Sequence, residues 1–487
     1  MTFVSPAFVL FVAITWLVHG VLPSRFRWAG LLGASLIFYA TAAEPQLLVV
    51  LAWVTTVTYL GGLWISACDP RVRGRIYVAS LVGVFFALGL KYLPLVHDAV
   101  ALLARALGRS VSIPIPQLAS TIGISYFTLQ AIAYLTDVYL DMLPPERHFG
   151  RLALSLAFFP KILQGPIERG GDLLPQLETT YHFDYEKTRS GLVLFTWGLF
   201  KKTVAADQLG VTVDVVYGNV HAYSGATLLI ATYAYAFQIY LDFAAYTDMA
   251  RGIARLFGIE LTRNFDRPYA ATSVAEFWRR WHLSFSRWLL DYLFRPLQIR
   301  WRGWRQHGTA AAILATFLLS GLWHGATWGF LVWGALHGCY QVSALYTRGY
   351  FNRLQRRIGL AGTQGLAVLQ VLVTFHLVAF AWIFFRAANL RDALHVVGNL
   401  PTGPVELVHR MLTANAHSSL GLVPGLNRQD AVIGSVAVVL ALWERHLRRW
   451  WASTHSLPLR WMGYGALFLS IFVLGRFGGR KFIYFDF

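Results

Sequence analysis

The stretch SGLWHGATWGFLVWGALHG, residues 320–338, places two histidines in a run that contains no charged residue. Runs of about 18 or more uncharged residues recur along the 487-residue chain, and a run of that length can cross a bilayer as a helix. Hydrophobic residues make up 56% of the chain and charged residues only 14%, against roughly 25% charged in soluble domains. The composition therefore predicts an all-α, polytopic membrane protein and argues against a series of soluble domains.

The apolar runs predict about 11–12 transmembrane helices in a single integral-membrane domain over residues 1–487. The N-terminal run lacks a basic segment before it and is interpreted as a retained first span. One sizeable polar loop is predicted at 386–430. The predicted spans lie near 5–22, 29–43, 46–67, 76–96, 119–140, 150–165, 190–206, 224–247, 308–345 (one or two helices), 366–385, 431–443 and 459–475.

The net charge of +18 comes mostly from arginines in short loops between the apolar runs. Such loops favour the cytoplasmic side and contact with anionic lipid headgroups, so nucleic-acid binding is not expected. Arg25 and Arg27 follow the first span, whereas Glu44 follows the second. This alternation predicts that the N-terminus and the C-terminus are both extracytoplasmic. A cluster at Arg476 and Arg480 opposes the second assignment.

Residues 251–307 differ from the rest of the chain, because they hold eleven arginines and four acidic residues among many aromatic residues. A charge at the bilayer centre costs roughly 2.5–3.5 kcal/mol even on the insertion scale. The stretch is therefore predicted to lie at the interface or to enter a protein-lined cavity, where irregular backbone is tolerated.

His324 lies within a predicted span, and an ionisable residue there indicates a functional site. Neutral imidazole accepts a proton near neutral pH. A structural role is equally open, since Gly321, Gly325 and Gly329 form a small-residue stripe suited to helix packing. On a continuous helix, Trp328 would lie one turn away and would cover the imidazole.

His282 occurs in the charged stretch, 42 residues before His324. Two neighbouring elements could bring these histidines to one cavity. Without a suitably spaced carboxylate or thiolate they do not complete a zinc site, so no metal and no bound cofactor is expected. His337 is interpreted as structural, and the two cysteines are not expected to form a disulfide.

Five segments in this order together resemble the membrane-bound O-acyltransferase (MBOAT) family, closest to its bacterial branch of alginate O-acetylation and teichoic acid D-alanylation. Ala244-Ala245 departs from the small polar residue and glycine usual in that family. The core of the resemblance spans about 119–345, and its segments are GISYFTLQAIAYLTDVY (123–139), FFPKILQGPIERGGDLLPQL (158–177), QIYLDFAAYTDMARGIARLFG (238–258), NFDRPYAATSVAEFWRRWHLSFSRWLLDYLFRPL (264–297) and LSGLWHGATWGFLVWGALHG (319–338).

The resemblance implies helices around a tunnel, with re-entrant or interfacial helices beside it. It assigns His324 as the catalytic histidine and His282 as the second histidine of the site. A cytosolic thioester such as acetyl-CoA would donate the acyl group, and Arg279 and Arg280 would meet this anionic donor or else lie at the interface. Residues expected to line the tunnel, or to pair within it, are Trp328, Asp242, Tyr246 and Asp248.

The function implied is O-acetylation of a cell-envelope polysaccharide at the bacterial inner membrane, through an extracytoplasmic acyltransferase partner. D-alanyl transfer to teichoic acid from a carrier protein is the nearest alternative. A transporter or lipid flippase and a membrane scaffold are the alternatives from other classes.

The last six residues, FIYFDF (482–487), resemble the aromatic tail of envelope-acylation systems. An interfacial aromatic anchor is the simpler interpretation. The alternative hypothesis is that Tyr484 relays the acyl group, since a phenol with a pKa near 10 forms a more reactive ester than a sugar does.

Overall fold

The computed structural model describes residues 1–108, 123–179, 181–325, 327–413, 432–436, 438–439, 443–444, 456–477 and 481–483. Every regular element among these residues is helical, which confirms the all-α prediction. The chain forms two compact units, residues 1–195 with 246–263 and residues 196–245 with 264–487. The chain passes between the units at residues 195–196, 245–246 and 263–264. The prediction of one integral-membrane domain stays a prediction.

The first unit is built mainly from apolar helices of the N-terminal third of the chain. Within it, the helix Leu47–Ala67 packs on both Pro70–Gly89 and Ile124–Tyr139, and the helix Ser24–Ala42 packs on Phe149–Ala157. The helices are α1 (Pro6–Val21), α2 (Ser24–Ala42), α3 (Leu47–Ala67), α4 (Pro70–Gly89), α5 (Leu93–Ala106), α6 (Ile124–Tyr139), α7 (Phe149–Ala157), α8 (Gly170–Glu178), and parts of α9 (Tyr185–Phe200) and α11 (Gly225–Leu256).

The second unit contains a π-helix, Lys201–Ala206, that continues α9. A second π-helix, Leu290–Phe294, lies in the charged stretch. The remaining α-helices of this unit are α10 (Asp207–Gly218), α12 (Val274–Trp278), α13 (Leu283–Leu289), α14 (Arg295–Arg300), α15 (Arg305–His324), α16 (Trp328–Arg357), α17 (Gln364–Arg386), α18 (Leu390–Asn399), α19 (Gly403–Thr413) and α20 (Leu457–Leu474).

Among the described residues, five helices are long and apolar enough to cross a membrane. They are α3, the run Pro70–Tyr92 that begins with α4, α11, α17 and α20. The shorter α1 is also apolar. These helices confirm a multi-pass membrane protein, whereas the count of 11–12 spans stays a prediction.

Two sequence predictions about elements are wrong. The span expected at 150–165 is only the short helix α7, because the chain leaves the helix at Phe158 and turns through Lys161 instead. The polar loop expected at 386–430 contains α18 and α19. Helix α18 begins where the Asn389 side chain accepts a hydrogen bond from the Asp392 amide, and such a cap stabilises a helix start.

The apolar stretch 308–345 forms two helices, because α15 ends at His324 and α16 begins at Trp328. The expectation that Trp328 lies one helical turn from His324 is therefore wrong. A Cβ atom on Gly321 would lie 2.3 Å from the Phe330 carbonyl oxygen. Glycine is thus required for the close approach of α15 and α16, as the small-residue stripe indicates.

Candidate acyl-transfer site

His324 is the last residue of α15, and the helix stops there because Gly325 leaves the helical conformation. The Gly325 amide still bonds to the Gly321 carbonyl at 3.3 Å. A side chain at position 325 would collide with the Phe330 ring, since its Cβ would lie 2.4 Å from that ring. The glycine after the histidine therefore lets α16 fold back closely beside the imidazole.

The His324 side chain is enclosed by aromatic rings and is only 4% exposed. Its ring centroid lies 5.2 Å from Trp333 at an interplanar angle of 90° and 5.1 Å from Phe385 at 72°. Trp323 lies at 4.8 Å and Phe330 at 6.3 Å from the same ring. We call these four aromatic residues the histidine cage. Helices α15, α16 and α17 each contribute to it, so that aromatic side chains from three helices surround the His324 imidazole.

His282 stands just before α13 in the left-handed conformation, with φ 44° and ψ 57°. Asn264 holds this turn, because its carbonyl accepts the Leu283 amide at 2.9 Å and its side-chain oxygen accepts the Ser284 amide at 3.1 Å. The His282 ring packs edge-on against Phe243 at 4.7 Å. A conformation that costs a non-glycine residue roughly 1–2 kcal/mol is thus stabilised by a buried asparagine.

The His282 imidazole is 1% exposed, and neither ring nitrogen has a hydrogen-bond partner among the described residues. Burial lowers its pKa to about 3, so the ring is neutral at physiological pH. A buried polar group without a partner costs about 1–3 kcal/mol. No hydrogen bond to the described residues therefore accounts for the burial of this side chain.

Phe285 contacts both histidines. Its ring centroid lies 5.2 Å from His282 and 6.0 Å from His324, and it stacks on Trp323 at 4.3 Å. The structure therefore brings the two predicted histidines to one aromatic cluster, although 42 residues separate them in sequence. The sequence analysis missed Phe285, because one aromatic residue among so many carries no distinguishing signal.

His337 is fully buried, and its Nδ1 accepts a hydrogen bond from the Trp278 indole N–H at 3.2 Å. The same ring lies between Trp278 and Trp333, at 5.1 Å and 5.0 Å. The hydrogen bond satisfies Nδ1, whereas Nε2 has no partner among the described residues, and the structural role of His337 stays a prediction.

The two arginines of the predicted donor side differ. Arg280 donates to the Glu276 carboxylate, and Glu276 also accepts from the Thr272 amide and hydroxyl at 2.7 Å. Arg279 is exposed at the end of α12. Arg279 is therefore the residue of this pair whose charge faces outward. Trp328, expected to line the tunnel, is 72% exposed.

The intramembrane acids are engaged by partners that the sequence analysis did not identify. Asp242 binds the Lys202 ammonium at 2.7 Å, and Lys202 also binds Asp207 at 2.9 Å. Lys202 lies within a predicted span, and this was the signal that could have pointed to a buried ion pair. In the first unit, Asp248 pairs with Arg251 at 3.4 Å.

Tyr246 is fully buried and stacks on Phe3 at 4.6 Å in the first unit. Tyr484 lies outside the described residues. Within the described chain, no group of three or more His, Cys, Asp or Glu side chains is arranged to hold a metal ion.

This geometry defines a helical membrane protein with a buried histidine pair at an aromatic cluster. The MBOAT, membrane-bound O-acyltransferase, family signature matches residues 155–384, which include both histidines. The chain belongs to this family and is an acyltransferase.

Relatives with known names show the same family. The chain is 32% identical to a peptidoglycan O-acetyltransferase of Helicobacter pylori, over 77% of this chain and 74% of the relative. It is 34% identical to a probable alginate O-acetylase AlgI of Pseudomonas putida, over 82% and 80%. It is 26% identical to a teichoic acid D-alanyltransferase of Bacillus subtilis, over 56% of this chain and 70% of the relative.

Proposed function

We propose that this protein takes an acetyl group from a cytosolic thioester and passes it across the bacterial inner membrane for O-acetylation of a cell-envelope polysaccharide. The observation that carries the proposal is His324, a buried base at a helix end inside the histidine cage. Relatives that act on peptidoglycan and alginate support acetyl as the acyl group. The predicted orientation, with basic loops inside and both termini outside, belongs to the same proposal.

In the proposed reaction, His324 accepts the proton of the acceptor hydroxyl as that oxygen attacks the thioester carbonyl carbon. The carbon–oxygen bond forms, the carbon–sulfur bond breaks, and the imidazolium returns its proton to the departing thiolate. The products are an ester and a free thiol. The apolar cage excludes water, which would otherwise compete as the acceptor.

His282 would hold the acceptor or the donor through its unpartnered ring nitrogens. The donor is acetyl-CoA or another cytosolic acyl thioester, which is a substrate and leaves no bound cofactor behind. Exposed Arg279 is suited to an anionic donor of this kind.

An extracytoplasmic acyltransferase partner would complete the transfer to the polysaccharide, and Tyr484 would carry the acyl group to it as an ester. The support for this step is chemical: transfer from a phenyl ester to a sugar hydroxyl runs downhill. Mass spectrometry of the C-terminal peptide tests it in cells that lack the downstream transferase. Acyl-Tyr484 should accumulate there, and Tyr484→Phe should abolish polymer acylation. Full polymer acylation in Tyr484→Phe would refute the relay.

The base assignment is tested with purified protein and acetyl-CoA labelled in the acetyl group. His324→Ala should lose at least about a hundredfold in transfer, the lower range for general-base catalysis, while it inserts and accumulates normally. His376→Ala is the matched control, because His376 is an exposed histidine on α17. Near wild-type transfer by His324→Ala would contradict the assignment, and failure to accumulate would indicate a structural role.

The second candidate function is D-alanyl transfer to teichoic acid, favoured by the similarity to teichoic acid D-alanyltransferases. The higher identity and coverage of the O-acetylating relatives favour acetyl. The same assay separates the two, since a D-alanyl carrier protein as the only productive donor would support the alternative.

A further inference from the structure

Lys202 of the π-helix Lys201–Ala206 forms a buried charged network with Asp207 at the start of α10 and Asp242 on α11. Lys202 and Asp242 are each 1% exposed and Asp207 is 5% exposed. The Lys202 ammonium lies 2.7 Å from Asp242 Oδ1 and 2.9 Å from Asp207 Oδ1. One lysine thus faces two carboxylates. Burying charges is costly unless further hydrogen bonds satisfy their remaining donors and acceptors.

The further bonds come from residues 481–483, close to the C-terminal end of the sequence. Asp242 Oδ2 accepts the Ile483 amide at 2.8 Å, and Lys202 donates to the Lys481 carbonyl at 3.2 Å. Between them, the Phe482 ring lies 4.5 Å from the Lys202 ammonium and is 1% exposed. The network therefore binds the main chain on both sides of a buried aromatic side chain.

A second set of bonds holds the chain just after α20. The Arg476 amide donates to the Thr203 carbonyl at 3.0 Å, and the Arg476 guanidinium donates to Gln208 Oε1. Gln208 in turn donates to the Leu474 carbonyl at 3.3 Å. π-Helical turns disturb the regular hydrogen-bond ladder and occur at functional sites. Here the π-helix holds both Arg476 and the segment 481–483.

We propose that Lys202, Asp207 and Asp242 form a docking site for the main chain of residues 481–483, and that this docking positions the adjoining Tyr484 for acyl transfer. The second half of this statement rests on the proposed function. The three residues are positioning residues, since they act through the segment and not on the acyl group. Because the network bonds to main-chain atoms, it would leave the Tyr484 side chain available to accept the acyl group. The buried Phe482 side chain fixes the segment in place.

Limited trypsin digestion of the purified full chain tests docking without any acyl transfer. The bond between Lys481 and Phe482 is a trypsin site whose carbonyl is bonded to Lys202 and whose next side chain is buried. Release of residues 482–487 should therefore be slow in the wild type. It should become at least tenfold faster in Lys202→Met and in Phe482→Ala, and Lys202→Arg should restore part of the protection.

Lys201→Met is the matched control, because Lys201 is equally buried but pairs with Glu444 at 3.6 Å. Phe482→Ala leaves the charged network intact, so it keeps the test decisive even where Lys202→Met fails to fold. Wild-type rates of release in both Phe482→Ala and a folded Lys202→Met would overturn the docking site.

The positioning role has its own readout, the amount of acyl-Tyr484 in cells that lack the downstream transferase. We expect at least a tenfold fall in Phe482→Ala and Lys202→Met, and wild-type amounts in Lys201→Met. Faster trypsin release with unchanged acyl-Tyr484 would overturn positioning and leave docking. A failure of the Tyr484 relay would be distinguishable from a failure of docking. In that case Tyr484→Phe would show full polymer acylation, while the bond after Lys481 would stay protected from trypsin.

Discussion

At the scale of single residues, the site combines two histidines in unlike environments. His324 ends a helix inside the histidine cage, whereas His282 occupies a left-handed turn held by Asn264. Both rings contact Phe285. Burial keeps the His282 imidazole neutral, and His324 is the residue that we propose as the base.

The first prediction concerns His282 and pH. Burial lowers the pKa of His282 from 6.5 to about 3, so between these values the histidine binds a proton in the unfolded chain but not in the folded chain. Its contribution to stability is full above pH 6.5 and falls by about 1.4 kcal/mol for each pH unit between that value and about pH 3. Thermal unfolding in detergent at pH 7 and pH 5 should show a smaller acid destabilisation in His282→Gln than in the wild type. Equal destabilisation in the two proteins would contradict a neutral, buried His282.

The second prediction separates His337 from His324 and His282, the two histidines of the proposed site. Trp278→Phe removes the indole N–H and leaves the buried His337 Nδ1 without its donor. We expect a loss of about 1–3 kcal/mol in stability and little change in transfer per folded molecule. The midpoint of unfolding and the labelled-acetyl assay measure the two effects. A fall in activity that exceeds the loss of folded protein would give His337 a role in the reaction.

At the scale of helices, α15 and α16 form a hairpin whose backbones touch. A Cβ on Gly334 would lie 2.4 Å from the Phe317 carbonyl oxygen, and one on Gly321 would lie 2.3 Å from the Phe330 carbonyl oxygen. This close approach places Trp333 against His324. The position of His324 therefore depends on glycines, which have no side chain that could react.

The third prediction tests this hairpin. Gly334→Ala should destabilise the protein by about 1–3 kcal/mol, as overpacking does, and should reduce acyl transfer by moving α16 away from His324. Gly349→Ala on the same helix is the control, because nothing lies within 4 Å of an added Cβ there. That change should be neutral or stabilising by up to about 1 kcal/mol. Thermal unfolding of the two variants in one detergent gives the comparison, and equal midpoints would refute the packing argument.

At the scale of the whole molecule, the arginine loops predict orientation in the membrane. The start of α2, which contains Arg25 and Arg27, and the start of α4, which contains Arg71, Arg73 and Arg75, should face the cytosol. A cytosolic donor requires that the stretch containing Arg302 also be reached from inside. Orientation is thus linked to the proposed direction of acyl transfer.

The fourth prediction uses single cysteines in a chain whose two natural cysteines, free thiols in the structure, are replaced. An impermeant maleimide should label Arg302→Cys only from the cytosolic side. Gln46→Cys, in the loop after α2, should be labelled only from the outside. Both positions are exposed, so access is decided by the membrane. Labelling of Arg302→Cys from outside would reverse the inferred orientation.

The sequence alone determined the fold class, because long uncharged runs are stable in a bilayer and not in water. Within a bilayer, their backbone N–H and C=O groups must form hydrogen bonds with each other, as they do in a helix. It also selected His324 and His282 as candidates, since ionisable residues stand out against an apolar background and the surrounding motifs resemble the MBOAT family, and their catalytic roles stay predictions. Local patterns of this kind need no knowledge of distant contacts.

The tertiary structure alone decided what surrounds these residues. It ended α15 at His324, placed Phe285 between two distant motifs, and formed α18 and α19 in the described part of the predicted loop 386–430. It also joined Lys202 to Asp242 and to residues 481–483, across 279 positions of sequence between Lys202 and Lys481. Such pairings depend on which helix faces meet when the helices pack. Hydrophobic periodicity predicts which face of a helix is buried, but it does not predict which other element packs against that face.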